Sequence, residues 1–179
     1  EEQSYASPLM LPVTEGSTTT RVADAITGAG SQALFSSVNS SGVLYAEIAA
    51  NSDDLEFRYI TLSDGSSSNR ALIAYENETN SIRVIVVLGG ANQCDMEYTV
   101  SDITDFHKVA LKWNTDDFAL WIDGVERATD NSGNTFGAST LTTLDMANGG
   151  AADAFFYGKT KAIYVTNYLT DDEMKALTT

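Results

Sequence analysis

The sequence has few of the side chains that usually carry chemistry. In 179 residues it holds one cysteine, Cys94, one histidine, His107, and two prolines. A single cysteine excludes an internal disulfide and a zinc site built on several thiolates. Cys94 reads as a semi-buried residue that packs as a small hydrophobe, not as a nucleophile. A catalytic triad or a multi-histidine metal site would have to be assembled around His107 alone, so a hydrogen-bonded strand residue is the plainer reading. Positive charge is scarce too: Lys+Arg 10 against Asp+Glu 25 leaves a net charge of −15. Such a chain repels phosphate backbones and anionic bilayer surfaces, which argues against nucleic acid and membrane partners. No apolar run reaches the roughly 18 residues of a transmembrane helix, so membrane insertion is not expected. An extracellular chain without disulfides fits a bacterial or viral product better than a eukaryotic secreted module. Glu1-Glu2-Gln3-Ser4 has neither the basic start nor the apolar stretch of a signal peptide, and no initiator Met precedes it. The expectation is one domain over residues 1–179, cut or processed from something longer, with residues 1–20 as an extended lead-in.

What the sequence does have is a rhythm of short apolar runs between Ser, Thr, Gly, Asn and Asp. That rhythm predicts an all-β sandwich or barrel. The predicted strands are Gly42–Ala50, Phe57–Ser63, Arg70–Glu76, Ser81–Leu88, Asp95–Ser101, His107–Asn114, Asp117–Asp123, Val125–Asp130, Leu141–Met146 and Ala154–Thr166, with weaker ones near Thr20–Ala23 and Gln32–Val38. Turn formers separate them at 64–69, 77–80, 89–92 and 131–134. One helix is predicted, near the end. Thr170 serves as N-cap and Glu173 closes a capping box, with Asp171 and Asp172 in the first turn. Leu169, Glu173, Met174 and Leu177 give it a short face to pack on the sandwich.

The run from His107 to Ala128 fixes its own register. With a hairpin loop at Asn114–Asp117, Trp113 faces Phe118, Leu111 faces Leu120 and Val109 faces Ile122, all on one side. The other side pairs Lys112 with Ala119, Ala110 with Trp121 and Lys108 with Asp123. A slip of one residue would mix the two faces. Asp123-Gly124 then makes a tight turn. Beyond it Arg127 would fall opposite Leu120, so either a bulge intervenes or Arg127 reaches out at an edge.

Phe106-His107-Lys108-Val109-Ala110-Leu111 followed by Leu120-Trp121-Ile122-Asp123-Gly124 resembles the paired strands of laminin-G-like and pentraxin-like domains, which have the concanavalin A-like jelly-roll fold. Gly16–Asp24, Gly42–Ala49, Phe156–Lys161 and Tyr168–Glu173 look like segments of laminin-G-like modules in bacteriophage tail and fibre proteins. The resemblance spans most of the chain, and the order and spacing of the segments carry it. It implies two curved antiparallel sheets and a non-catalytic module that binds carbohydrate or protein. It also implies a place on a virion, outside the cell. The partner would be a cell-surface glycan, other virion proteins in a structural or decoration role, or a second copy of the chain.

Glycoside hydrolases of the laminarinase type share the sandwich and carry their two carboxylates on one strand. Here Asp95-Met96-Glu97 and Asp53-Asp54-Leu55-Glu56 come nearest, and neither completes that pattern. A polysaccharide-cleaving enzyme is thus the lesser alternative. Pentraxin-like domains also imply calcium at the sandwich rim. Oxygen ligands are present in Asp64, Asn69, Asp145, Asn148 and Asp153, but no D-x-D-x-D-G loop supplies a whole site. Solvated acidic loops are the competing reading.

The binding expectation centres on the polar side of the hairpin. Trp121 shares it with Lys108 and Lys112, and Arg83, Arg70 and Tyr59 are expected to join from neighbouring strands. A flat ring stacks on a sugar face, and cations reach its hydroxyls or an acidic glycan. The competing reading has Trp121 shielded by a loop or subunit, with the lysines paired to Asp123 and Glu126.

Overall fold

A computed structural model describes residue 35, residues 37–150 and residues 153–179. The strand expected near Thr20–Ala23 and the lead-in over 1–20 lie outside those residues. Ten strands follow in order: β1 Gly42–Ala50, β2 Arg58–Ser63, β3 Arg70–Tyr75, β4 Ser81–Leu88, β5 Ala91–Thr99, β6 His107–Asn114, β7 Asp117–Ile122, β8 Val125–Asp130, β9 Thr143–Asp145 and β10 Gly158–Thr166. A helix, α1, covers Asp171–Thr178. The strands form two antiparallel five-stranded sheets, ordered β10-β1-β6-β7-β8 and β5-β4-β3-β2-β9. The fold is a jelly-roll β-sandwich of the concanavalin A-like kind with a short C-terminal helix.

Alternation explains the layers. Leu44, Ala46 and Ile48 of β1 and Val109, Leu111 and Trp113 of β6 point inward from one sheet. Ile60, Leu62, Ile73, Val84 and Val86 meet them from the other. Each Val, Leu or Ile side chain among them contributes roughly 1.5–3 kcal/mol when fully buried. Trp113 sits in this core, edge-on to Phe136, and its indole N–H donates to the Val38 carbonyl at 3.0 Å.

The hairpin register is the predicted one. Trp113 pairs with Phe118, Leu111 with Leu120, Val109 with Ile122, Lys112 with Ala119 and Ala110 with Trp121. The loop is tighter than expected, because Asn114 and Asp117 also pair and only Thr115-Asp116 turn the chain. Asp123 (φ 51) and Gly124 (φ 76) are both left-handed, as a two-residue hairpin turn of this type requires. Of the two options for Arg127, the bulge is realised. Leu120 pairs with Ala128 and Trp121 with Glu126, so Arg127 is the extra residue. Its guanidinium lies 4.5 Å from the Tyr98 ring centroid and donates to the Tyr98 hydroxyl at 3.1 Å.

Several boundaries differ from the sequence reading. β5 starts at Ala91, not Asp95, because Gly89 (φ 59) and Gly90 (φ 81) turn the chain in two residues. Ala91 and Asn92 then pair with Leu88 and Val87 ahead of a bulge. The last predicted strand begins at Gly158 instead of Ala154, since Phe155 makes only an isolated bridge to Tyr59. β9 is shorter than predicted at both ends. No strand forms at Val38, which lies in a turn.

The helix is built as predicted at its start. The Glu173 carboxylate accepts from the Thr170 N–H at 2.8 Å and from its hydroxyl at 2.7 Å. Met174 is fully buried, and Leu169 and Leu177 are partly buried, against Val43, Tyr45, Ala110, Ala119 and Trp121 on the outer face of the first sheet. Glu173 itself is exposed and caps rather than packs. Among the described residues no helix is long and apolar enough to cross a membrane.

Candidate functional site

The single basic and aromatic face expected around Trp121 does not form. Lys108, Lys112 and Trp121 lie on the outer face of the β6–β7 sheet. Tyr59, Arg70 and Arg83 lie on the outer face of the other sheet, where Tyr59, Ala74 and Arg83 share one row across β2, β3 and β4. The sequence shows which side of a strand a residue takes, but not which sheet the strand joins. Helix α1 then covers the Trp121 side. Trp121 is 6% exposed and Lys112 3% exposed.

Three of the four cations, Lys112, Arg83 and Arg70, have partners inside the chain. Lys112 Nζ lies 3.0 Å from Asp171 and 3.2 Å from Asp117, not beside Asp123 or Glu126. Arg83 grips Asp95 through two bonds of 2.6 Å and reaches Glu76 at 3.4 Å. Arg70 donates to Asn148, one of the oxygens proposed for calcium. Among the other such oxygens, Asp64 accepts from Ser66 and Asn69 in its own loop. Asp145 is half-buried, and burial raises its carboxyl above the usual range. Among the described residues no three His, Cys, Asp or Glu side chains gather to hold a metal ion. His107 is a bonded strand residue, with Nδ1 2.6 Å from Asp123 and Nε2 3.0 Å from the Asp102 carbonyl. Cys94 is fully buried in β5, and burial pushes its thiol up to about 12.

A different place combines the features of a ligand site. At one end of the sandwich, a shallow cleft of about 10 Å3, room for about one water molecule, is lined by Ala50 of β1, residues 52–56 and Arg58, Tyr75 at the end of β3, Glu76 after it, Ile103 and Tyr157. Three polar atoms on its lining are buried without a hydrogen-bond partner: Asp53 Oδ1, the Tyr75 hydroxyl and Glu76 Oε1. They are three of six such side-chain atoms among the described residues, with Arg70 Nε, Trp121 Nε1 and Arg127 Nε the others. Each of these side chains is held from behind. The other oxygen of Asp53 accepts from the Asn80 N–H at 3.1 Å, and Glu76 Oε2 faces Arg83. Tyr75 is stacked on Phe156 with ring centroids 5.8 Å apart. Burial raises the Glu76 carboxyl above the usual range, only partly offset by Arg83. Burial raises the Tyr75 phenol as well.

Aromatic rings lie around the cleft, and of the exposed ones Tyr157 lines it. Tyr157 is 52% exposed, and its ring lies 5.2 Å from the Arg58 guanidinium and 6.1 Å from Phe155. Phe57 is exposed and meets Tyr59 edge-on at 6.0 Å. The loop that carries this rim is bent at Leu55, which has φ 57 and an exposed side chain. A positive φ at an apolar residue is strained, and such strain recurs at ligand sites. None of the residues predicted for binding lines this cleft; Tyr59 meets Phe57 beside it. In the sequence the carboxylates of Asp53, Asp54 and Glu56 read only as an incomplete hydrolase pattern. Phe57, Arg58, Tyr75, Glu76 and Tyr157 were not singled out. The available signal was the crowding of Phe57, Tyr59, Phe155 and Tyr157 next to turns.

The fold has known counterparts. The chain is similar to the CBM40 of the Ruminococcus gnavus IT-sialidase, with a TM-score of 0.66 and 16% identity over 82% of this chain and 86% of that one. A structure of that CBM40 bound to α2,3-sialyllactose superposes with a TM-score of 0.64. The leech intramolecular trans-sialidase matches with a TM-score of 0.62 and 20% identity, over 80% of this chain but 24% of that one. The SAP-like pentraxin of Limulus polyphemus matches with a TM-score of 0.59 and 10% identity over 79% and 70% of the two chains. No family model matches the sequence, and no curated protein does.

Proposed function

We propose that this chain is a non-catalytic carbohydrate-binding module and that the cleft at Tyr157 is its binding site. One observation carries the reading: the exposed Tyr157 ring borders a cleft lined by the carboxylates of Asp53, Asp54, Glu56 and Glu76. Sugars offer the complement, an apolar ring face for stacking and hydroxyls for polar groups. Support also comes from the fold, which this chain shares with a CBM40 solved with sialyllactose, although a shared fold does not by itself transfer a ligand. Within the proposal the module belongs to a phage tail or fibre protein, displayed on the virion and facing a host surface. The resemblance of the segments around Gly42, Phe156 and Tyr168 supports that setting. The test is a glycan array probed with the wild-type chain and with Tyr157→Ala. Glycan signals lost in the variant support the site.

A structural role is the second reading. Exposed aromatic rings such as Phe57, Phe155 and Tyr157 also suit a contact with another virion subunit or a second copy. Under that reading Tyr157→Ala weakens assembly and the wild-type chain captures no glycan.

A further inference from the structure

We propose, resting on the cleft as a glycan site, that it accepts sugar residues carrying hydrogen-bond donors and no negative charge, and that it rejects acidic sugars. The sialyllactose seen on a similar fold would then be the wrong ligand for this chain.

The charges around the cleft point this way. Asp53, Asp54, Glu56 and Glu76 line it, against the single cation Arg58 among the described lining residues. That cation is already committed. Arg58 Nη2 donates to Asp54 Oδ2 at 2.8 Å and Nη1 to the Phe57 carbonyl at 3.2 Å. Arg83, behind Glu76, spends its fork on Asp95. Recognition of a sugar carboxylate calls for a free guanidinium fork or an equivalent set of donors. Here an incoming carboxylate would face carboxylates, in a chain whose net charge is −15.

The lining chemistry points the same way. Ionised carboxylate oxygens only accept, so Asp53, Asp54 and Glu56 along the cleft favour donors from the ligand. Neutral hexoses supply hydroxyl donors, and amino sugars supply an ammonium. Either can lay a ring face on Tyr157.

The test is calorimetric titration of the whole chain with a neutral hexose oligosaccharide, a glucosamine oligosaccharide and sialyllactose, repeated with Asp53→Asn and Tyr157→Ala. The expected result is binding of a neutral or amino sugar at least about tenfold tighter than sialyllactose, the size of one charge-assisted hydrogen bond lost. Salt-sensitive binding of the glucosamine oligomer alone identifies the ammonium as the donor; binding of the neutral oligomer identifies the hydroxyls. Asp53→Asn replaces an acceptor with a donor and narrows the preference. If sialyllactose binds as tightly as the others and Tyr157→Ala abolishes it, the charge selectivity is wrong while the site stands. If nothing binds, or Tyr157→Ala leaves binding intact, the site itself is wrong and the selectivity falls with it.

Discussion

Lys112, on the outer face of β6, places its ammonium 3.0 Å from the Asp171 carboxylate at the first turn of helix α1. A lysine that the strand pattern presents as free for ligand is a clamp that holds the helix over Trp121. Asp117 closes the pair from the other side at 3.2 Å, and the Tyr168 hydroxyl donates to Asp117 at 3.0 Å.

Replacing Lys112 by Met keeps the packing of the stem and removes the charge. Its carboxylate partners stay largely solvated, so the expected loss is modest, about 1–2 kcal/mol in urea unfolding. Burial works against the Lys112 charge, but bonds to Asp171 and Asp117 outweigh it and hold the ammonium above the ordinary lysine value. A raised value of this kind contributes stability that is fully present at neutral pH. That stability is lost as pH climbs past 10.5, the ordinary value, through the folded one. The alkaline part of the stability profile should therefore flatten in Lys112→Met.

The helix also has an acid-sensitive end. Bonds from the Thr170 backbone and hydroxyl hold the Glu173 carboxyl below its ordinary value of 4.5. A depressed value contributes stability above 4.5 that disappears as pH falls through the folded one. Fraying of α1 should thus begin in acid before the sandwich opens. The Trp121 indole N–H, which has no partner, then exchanges faster with solvent. The Trp113 indole N–H, bonded to Val38, should not change.

Gly42 is held by space and not by backbone conformation. A Cβ there would sit 2.7 Å from Cζ2 of Trp113 and 2.9 Å from Cβ of Val38. Gly42→Ala forces the core ring to shift, with an expected cost of about 1–3 kcal/mol. Trp113→Ala leaves a cavity instead, at about 3–5 kcal/mol. Equilibrium unfolding of the two variants checks both values and their order.

Cys94 should be silent in the folded chain. Its thiol is buried in the core beside its strand partner Val86, and burial pushes it up to about 12, far from the thiolate that reagents attack. A thiol reagent at neutral pH should label it only at the rate of unfolding.

The fold was legible in the sequence where alternation was strict. Trp113, Leu111 and Val109 against Phe118, Leu120 and Ile122 admit one register, and the Asp123-Gly124 turn seals it. The assignment of strands to sheets was not legible, because Arg83 and Lys112 each read only as the polar side of some strand. The cover on Trp121 left a weaker trace. Leu169, Met174 and Leu177 needed a seat, and Ala110 beside Ala119 on the outer face offered one. The cleft left almost none. Phe57 and Tyr157 fall inside the predicted strands Phe57–Ser63 and Ala154–Thr166 but just precede the observed β2 and β10, and their meeting beside residues 52–56 is a property of the assembled sandwich.

Glycan binding at the cleft is the central claim, and its most direct test is nuclear magnetic resonance of the labelled chain titrated with a neutral oligosaccharide. Chemical-shift changes should gather at 50–58, Tyr75, Glu76, Ile103 and Tyr157, and should vanish in Tyr157→Ala. Changes centred on the Lys112 and Trp121 face, or none at any concentration, would contradict it.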